Sequence, residues 1–425
     1  MKTTVVSFLR DAALFAALGL VVGVLTVALS AAVDGAAAAF AAWPPLGWLL
    51  PVAGLATYGL YRALRVDFAW STAWVVEAVR DGEAVPLRLV PAIVAGTALT
   101  VLGGGSVGKE AAALQMAAGA SGPFRRWLRP ERQGWAAPAA MAAALGAMLS
   151  APAAGVVFSF EVLRRRPSDA GACAAPVIAA VAAWAVTEAA GVRFLPPLGE
   201  AALSELPWPG AACPALGPGT LDGALGLGGL LLLGILAGAA AGVVALAFCR
   251  ALGAMRRGLA RLGAPVFALA VGGAAVSLVL GYADVLGYGD VRAFCGTGAN
   301  LVIAALADAA LPWWAFALKA LLTLCTFAGG FKGGEIMPVL AIGACLGGAV
   351  GAGPLIVIVG MVAFFAACTK CPLTALVMAA ELFGIAPGIL CLPAIATACL
   401  CSPSASLYPT TLGSGPGVNR SPRRR

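Results

Sequence analysis

At residues 103–112 the sequence reads GGGSVGKEAA, a glycine-rich turn that contains one lysine and one glutamate. The segment before it, Leu89 to Leu102, is apolar, and the segment after it, Ala111 to Ala120, has the alanine-rich composition of a helix. A helix that opens on glycines leaves its first backbone N–H groups unpaired, and its N-terminus carries roughly half a positive charge. This stretch therefore predicts an anion-binding turn.

The glutamate on the first turn of this predicted helix adds a titratable anion to the same place. Because Glu110 carries its own negative charge, its carboxylate can compete with a dissolved anion for the backbone N–H groups. We expect Glu110 to act as a gate. The residues that we expect to contact the anion from this turn are Gly105, Ser106, Gly108 and Lys109.

The composition places the chain in the membrane. Hydrophobic residues make up 61% of its 425 residues and charged residues only 11%, which excludes an ordinary soluble domain and predicts an all-α polytopic membrane protein. Several apolar pieces are well short of the roughly 20 residues that span a bilayer, and we expect them to be half-spanning helices. These pieces are Ala153 to Phe160, Val339 to Leu346 and Leu373 to Ala380.

The net charge of +8 comes largely from arginine clusters at 125–132, 164–166, 256–261 and 420–425. They predict cytoplasmic loops by the positive-inside tendency, and no interleaved aromatic residues favour a nucleic-acid partner. The eleven cysteines are scattered and histidine is absent, so the single CxxC at 368–371 has too few ligands for structural zinc. We expect no metal, no cofactor and no catalytic activity.

A second glycine turn, GGFKGGEIMP at residues 329–338, shares the G-x-E pattern of the first. The segments that follow also correspond, because Pro152 precedes Glu161 by the same nine residues that separate Pro372 from Glu381. The two halves thus look like repeats offset by about 220 residues, a layout that points to a transport site near the bilayer midplane.

This repeat predicts four parts of the chain. The first inverted-repeat half covers 1–193, a proline-rich linker covers 194–221, the second half covers 222–413, and a basic tail covers 414–425.

Glu110 and Glu335 lie at membrane depth in this arrangement, where an unpaired charge costs several kcal/mol and usually serves a function. The alternative is that each carboxylate only caps its own helix. Two further glutamates, Glu161 and Glu381, lie near the far ends of short helices, and we expect them to pair with Arg164 or Lys370. The lysines Lys109 and Lys319 either add positive potential to an anion path or extend toward the membrane surface.

The GYGD sequence at 287–290 allows two other functions. It matches a potassium filter, although the upstream threonines of such filters are absent, and it matches an intramembrane aspartyl protease that would use Asp290, although no second aspartate lies inside a predicted span. We favour a plain glycine-rich loop turn over both of these functions. A purely structural membrane subunit would leave both G-x-E turns unexplained.

The motifs together resemble the CLC superfamily of anion channels and proton-coupled anion transporters over nearly the whole chain. Gly108-Lys109-Glu110 is similar to the family's G-[KR]-E-G-P gating motif as far as the glutamate, and Ser150 to Gly155 resembles its N-A-P-L-A-G segment. Leu407-Tyr408 resembles the segment whose tyrosine hydroxyl faces the central anion. The resemblance implies an inverted repeat with many tilted and half-spanning helices, and a homodimer.

The second turn is similar to the G-G-E-x-x-P of the fluoride-specific CLC-F branch. Val162 agrees with this branch, which lacks the inner proton glutamate of chloride/proton exchangers. Three positions depart from the pattern: Met337 stands where threonine is common, residues 67–72 keep nothing of the G-S-G-I-P anion loop, and tryptophans replace the branch's phenylalanines. The additional anion-site residues that the resemblance implies are Gly333, Gly334, Met337, Tyr408, Trp70 and Ser71.

The implied function is fluoride export coupled to proton import. Glu110 would occupy the anion site when charged and leave it when protonated, and Glu335 would be its inner-side partner. The alternative within the superfamily is a chloride channel or a chloride/proton exchanger. We expect the protein in a prokaryotic plasma membrane, with both termini in the cytoplasm.

Overall fold

The computed structural model describes residues 2–194, 221–286, 291–307, 311–351 and 353–408. These residues are overwhelmingly helical and contain no β-strand beyond one isolated bridge between Gly108 and Gly334. The predicted all-α polytopic fold is therefore confirmed. The tail at 414–425, the linker except its two end residues, and the GYGD sequence with Asp290 lie outside the described residues.

Eight main helices precede the linker and eight follow it within the described ranges. The first set comprises α1 (Lys2–Ala42), α2 (Leu50–Ala63), α3 (Thr72–Arg80), α4 (Leu89–Leu102), α5 (Glu110–Ala120), α6 (Ala136–Leu149), α7 (Pro152–Leu163) and α8 (Ala170–Ala189). The second set comprises α9 (Leu221–Ala260), α10 (Pro265–Leu286), α11 (Ala299–Leu306), α12 (Ala315–Ala328), α13 (Ile336–Gly348), α14 (Pro354–Thr369), α15 (Pro372–Phe383) and α16 (Ile385–Cys401).

Four of these helices contain segments long and apolar enough to cross a bilayer: Val6–Ala42, Ala170–Ala189, Leu231–Ala260 and Pro265–Tyr282. The three short apolar pieces predicted from the sequence form α7, α13 and α15, each of 12 or 13 residues. Helices of this length are shorter than the roughly 20 residues that cross the hydrocarbon core. The chain is an integral membrane protein in which complete spans surround shorter helices.

The centre of the molecule is built from α5, α6, α13 and α14, whose residues are almost all buried. Small residues let these helices approach closely, as membrane interiors require. A Cβ on Gly343 would lie 2.6 Å from the carbonyl oxygen of Gly360, so α13 and α14 touch backbone to backbone there. Both glycine turns open helices of this buried core.

The short helices α7 and α15 are joined by reciprocal caps. The Glu161 carboxylate, near the end of α7, accepts hydrogen bonds from the N–H groups of Leu373 and Thr374 at the start of α15, at 2.9 and 2.8 Å. The Glu381 carboxylate, near the end of α15, accepts from Ala153 and Ala154 at the start of α7, at 2.9 and 2.7 Å. Each carboxylate thus satisfies backbone donors of the other half.

The sequence interpretation had given these glutamates a local role beside Arg164 or Lys370, and the pairing with Lys370 needs correction. Lys370 donates to the backbone oxygen and hydroxyl of Ser402 instead of to a carboxylate. In an apolar environment, a carboxylate is held more strongly by the unpaired N–H groups of a helix start than by a cation that is already solvated.

Candidate functional site

The two glycine turns lie antiparallel against each other at the centre of the core. The Gly108 N–H donates to the Gly334 oxygen and the Gly334 N–H donates to the Gly108 oxygen, both at 2.7 Å. A Cβ on Gly334 would lie 2.6 Å from the backbone nitrogen of Ala111, so only glycine permits this approach. The starts of α5 and α13 are therefore adjacent: α5 begins at Glu110, and Glu335 is the N-cap residue directly before α13.

Glu110 is 1% exposed, and its carboxylate turns back toward the backbone amides of Lys109 and of its own residue. Its Oε2 atom has no hydrogen-bond partner among the described residues. A Cβ on Gly108 would lie 2.5 Å from that oxygen, which shows that the carboxylate occupies space left open by the glycine. The carboxylate lies where the N-terminus of α5 would hold an anion.

Glu335 is 6% exposed and is held by a neighbouring helix. The Thr72 hydroxyl, at the start of α3, donates to Glu335 Oε2 at 2.8 Å, and Gln115 Nε2 on α5 donates to Thr72 Oγ1 at 2.9 Å. The sequence analysis missed both partners. One sequence feature could have indicated them: Gln115 is the one amide in the otherwise apolar and small-residue stretch that follows Glu110.

A cavity of about 680 Å³ leads to Glu335. Its lining includes Trp70 and Trp74, the two tryptophans near the predicted anion loop. Their rings stack with centroids 4.1 Å apart and an interplanar angle of 4°. The Ser71 hydroxyl also faces this region, but it accepts a hydrogen bond from the Trp74 N–H and caps α3. Trp70 and Ser71 thus share a cavity with Glu335, as the predicted site requires.

Lys332 holds this loop in place and was not predicted. Its ammonium group donates to the backbone oxygens of Phe68 and Trp70, at 2.5 and 3.2 Å. The same group lies 4.0 Å from the ring centroid of Phe68 and 4.9 Å from that of Tyr61, where the aromatic faces stabilise a cation. The loop that keeps nothing of the G-S-G-I-P motif is therefore fixed by a lysine of the second glycine turn.

Tyr408 reaches the core from the end of the described chain. The Leu407 N–H donates to the Cys368 oxygen at the end of α14, at 2.8 Å, which fixes the segment. The tyrosine hydroxyl is buried without a hydrogen-bond partner in the described part of the chain. A buried hydroxyl needs a partner, so this group is available to bind an anion.

Two other predicted anion ligands have different partners. The Ser106 hydroxyl is 2.8 Å from the Thr323 hydroxyl, whose own proton goes to the Lys319 oxygen, so Ser106 is the donor. The Ser106 N–H donates to the Thr326 hydroxyl at 3.1 Å, and the Gly105 oxygen accepts from the Gly296 N–H at 3.2 Å. The hydrogen-bond donors of Ser106 therefore support the turn instead of facing an anion.

The two lysines of the sequence analysis are also engaged. Lys109 donates to both Asp34 carboxylate oxygens, at 2.9 and 2.8 Å, and to Ser30 Oγ at 2.6 Å. Lys319 donates to the backbone oxygens of Phe294 and Gly296, at 3.0 and 2.9 Å. The charge of Lys109 is balanced by Asp34, and Lys319 fastens the loop that contacts the first glycine turn.

On the second turn, Gly333 and Met337 pack against the first turn. A Cβ on Gly333 would lie 2.4 Å from Val107 Cβ, and a Cβ on Gly108 would lie 2.8 Å from Met337 Cβ. Met337 is buried and offers no hydrogen-bond donor at this contact. The site therefore combines two helix N-termini, the Glu110 carboxylate with one unpartnered oxygen, the Glu335 carboxylate held by Thr72, and the Tyr408 hydroxyl without a partner in the described part of the chain, which suits anion binding.

Comparison with known proteins agrees with the resemblance to the CLC superfamily found in the sequence. Residues 70–404 match the family model described as Voltage gated chloride channel. The "Chloride/fluoride channel protein" of Pseudomonas syringae pv. tomato (strain ATCC BAA-871 / DC3000) is 31% identical over 369 residues, covering 84% of this chain and 75% of that protein.

Solved structures share the fold at lower identity. A CLC-type fluoride/proton antiporter is similar with a TM-score of 0.79 at 24% identity, over 94% of this chain and 96% of that chain. A slow cyanobacterial Cl⁻/H⁺ antiporter is similar with a TM-score of 0.73 at 22% identity, over 93% and 96% of the two chains. The chain belongs to the voltage-gated chloride channel, or CLC, family of membrane proteins that transport anions.

Proposed function

We propose that this protein exports fluoride in exchange for protons. The observation that carries the proposal is the pair of buried carboxylates at two paired helix N-termini, Glu110 with a free oxygen and Glu335 with its oxygen held by Thr72. The G-G-E sequence of the second turn favours the fluoride branch of the family. The protein would act by transport and not by catalysis.

Fluoride is small and strongly hydrated, so its site must replace lost water with directed hydrogen-bond donors. The starts of α5 and α13 provide backbone N–H groups, and Tyr408 provides a hydroxyl without another partner. Hydrogen fluoride is a weak acid that crosses membranes in neutral form and dissociates inside the cell. Export of the ion driven by inward protons therefore protects the cell.

In the proposed cycle, the charged Glu110 carboxylate occupies the anion site and excludes fluoride. Protonation removes its charge, so the side chain leaves the helix N-terminus and fluoride replaces it. Glu335, which lines the cavity, exchanges protons with water on that side. The two movements are coupled because carboxylate and fluoride cannot occupy one site together.

The test is flux measurement in proteoliposomes loaded with fluoride or with chloride. We expect fluoride efflux to exceed chloride efflux and to draw protons into the vesicles against a pH gradient. Faster chloride efflux, or fluoride efflux without proton uptake, would refute the proposal.

A second candidate is a channel or exchanger that conducts chloride, and two observations favour it. Met337 replaces the threonine common in the fluoride branch, which removes a hydroxyl from the second turn. The Pseudomonas relative is named for both chloride and fluoride. Passive chloride efflux without proton movement in the same vesicles would support a channel, and chloride-driven proton uptake would support an exchanger.

We also propose a homodimer in a prokaryotic plasma membrane with both termini in the cytoplasm. The dimer is supported by large apolar side chains on α8 and α16 that are exposed in the single chain: Val177, Val181, Ile385 and Ile389. Chemical crosslinking in native membranes would test the dimer, and a monomer there would refute it.

A further inference from the structure

We propose that Thr72, Gln115 and Glu335 form a reversible hydrogen-bond chain that positions the second glutamate and transmits its protonation state to α5. Thr72 and Gln115 are positioning residues in this chain. The proposal rests on the proton-coupled function given above, which it deepens by connecting Glu335 to the helix that begins at Glu110.

The chain joins segments that are distant in sequence. Thr72 and Glu335 are 263 residues apart, Gln115 and Thr72 are 43 apart, and the two contacts measure 2.8 and 2.9 Å. All three side chains are buried. A buried polar chain of this kind is stable only when its donors and acceptors are matched, so its members constrain each other.

The proton count fixes the direction of each hydrogen bond. Thr72 has a single hydroxyl proton, and that proton is directed to Glu335 Oε2. Gln115 must therefore donate to Thr72 through its amide nitrogen. This arrangement leaves Gln115 Oε1 buried without a partner among the described residues. An unpaired buried oxygen destabilises this state of the chain.

Protonation of Glu335 reverses the direction of the chain. When a proton from the cavity binds Glu335 Oε2, the new O–H donates to Thr72 Oγ1, and the Thr72 hydroxyl turns toward Gln115. A half-turn of the Gln115 amide then presents Oε1 as the acceptor. One proton has entered and no covalent bond has broken. The hydrogen bond between Thr72 and Glu335 has reversed, and the bond that Gln115 Nε2 donated to Thr72 is replaced by one that Gln115 Oε1 accepts from it.

The second turn, including Met337, offers Glu335 no side-chain hydroxyl. In this chain the hydroxyl comes from α3 instead, which places it within reach of Gln115 on α5. The hydroxyl of Thr72 therefore connects Glu335 with the helix that begins at Glu110.

Other charged groups also face Glu335. The cavity that it lines contains Arg62 on α2, Asp67 in the following loop, Arg256 on α9 and Lys332 on its own turn, and its charge also acts on the Tyr408 hydroxyl. The test must leave these groups unchanged, so the variants are confined to uncharged side chains.

The experiment compares Thr72→Val, Thr72→Ser and Gln115→Leu with Thr97→Val. Thr97 is a buried threonine on α4 whose hydroxyl bonds only its own helix, at Ile93, so its variant controls for the loss of a hydroxyl. We expect Thr72→Val to lower proton uptake per exported fluoride about tenfold or more, and to displace its pH profile by about one unit. Thr72→Ser restores both values, Gln115→Leu has a smaller effect, and Thr97→Val matches the wild type.

Three outcomes would overturn the hydrogen-bond chain: unchanged proton coupling in Thr72→Val, failure of Thr72→Ser to restore the coupling, or an equal loss of coupling in Thr97→Val. In each case, proton coupling in the wild type would still uphold the proposed function. A second measurement needs no transport. The infrared carbonyl band of protonated Glu335, assigned with Glu335→Gln, should shift in Thr72→Val and not in Thr97→Val. An unshifted band would overturn the chain, whereas absent wild-type coupling with a shifted band would overturn only the antiport function.

Discussion

The two glycine turns present the same residue types in opposite circumstances. In the first turn the Glu110 carboxylate has an unpartnered oxygen, whereas in the second the Glu335 carboxylate is held by the Thr72 hydroxyl at 2.8 Å. A carboxylate with one unpartnered oxygen leaves its position at a lower cost than a carboxylate that also accepts a buried hydrogen bond from a neighbouring helix. The comparison assigns movement to the first turn and anchorage to the second.

The lysines of the two turns also differ, because one pairs with a carboxylate at the protein surface and the other is buried against backbone oxygens. Lys109 pairs with Asp34, whose side chain is 60% exposed. Lys332 is buried and donates to two backbone oxygens of the loop that carries Trp70. The first turn is tied to the protein surface, while the second turn is tied to the cavity wall.

The largest expected effect is on the movable carboxylate. Glu110→Gln cannot carry a proton, so we expect proton uptake driven by a fluoride gradient to fall to that of protein-free liposomes, while fluoride efflux continues. Glu335→Gln retains an oxygen that accepts from Thr72, and we expect it to slow proton uptake without abolishing it. Glu131→Gln, at an exposed site, is the control. Equal effects of the two variants at 110 and 335 would contradict the contrast.

The next effect is on the contact between the turns. Gly334→Ala would place a Cβ 2.6 Å from the Ala111 nitrogen, and we expect a loss of about 1–3 kcal/mol of stability from this overlap. Thermal unfolding in detergent measures it. Gly59→Ala, in α2 with nothing within 4 Å of the added atom, should leave the midpoint unchanged or raise it. An unaltered midpoint in Gly334→Ala would mean that the turns do not pack as described.

A similar effect is expected at the buried lysine. Lys332→Met removes two charge-assisted hydrogen bonds and leaves the Phe68 and Trp70 oxygens without this donor, so we expect a loss of about 1.5–3 kcal/mol. The same unfolding assay measures the change. If Lys332→Met were as stable as the wild type, the loop would not depend on the second turn.

The smallest effect is expected at the surface pair. Because Asp34 is largely exposed, Lys109→Gln should cost about 0–1 kcal/mol, and the difference should vanish at high salt. Asp34→Asn should behave in the same way. A loss in Lys109→Gln larger than that in Lys332→Met would reverse the contrast between the lysines.

The sequence predicts those parts of the site that depend on neighbouring residues. Glycines next to a small-residue helical segment indicate where α5 and α13 begin, and prolines mark the starts of α7 and α15. The family resemblance adds Tyr408, which no local pattern would have selected. The helix starts can be predicted because each depends on a short segment of the chain.

Other parts of the site depend on contacts that no local pattern encodes. Thr72 meets Glu335 across 263 residues, and the Ser106 hydroxyl meets Thr323 across 217. Ser106 was predicted as an anion ligand because its position in the turn suggested a free hydroxyl, yet α12 supplies its partner. Sequence proximity favoured a local role for Glu161 in the same way, although its acceptor oxygens satisfy a helix start 212 residues away.

The reciprocal caps of α7 and α15 constrain the order of events during biosynthesis. Ala153 is synthesised 228 residues before Glu381, so the start of α7 enters the membrane long before its cap exists. Uncapped backbone groups in hydrocarbon cost several kcal/mol, which favours keeping α7 near the lipid surface or beside a chaperoning insertase until translation is nearly complete. A ribosome-bound intermediate that stops before Glu381 should therefore hold α7 in a protease-accessible state, and maturation of the centre should be a late, cooperative step.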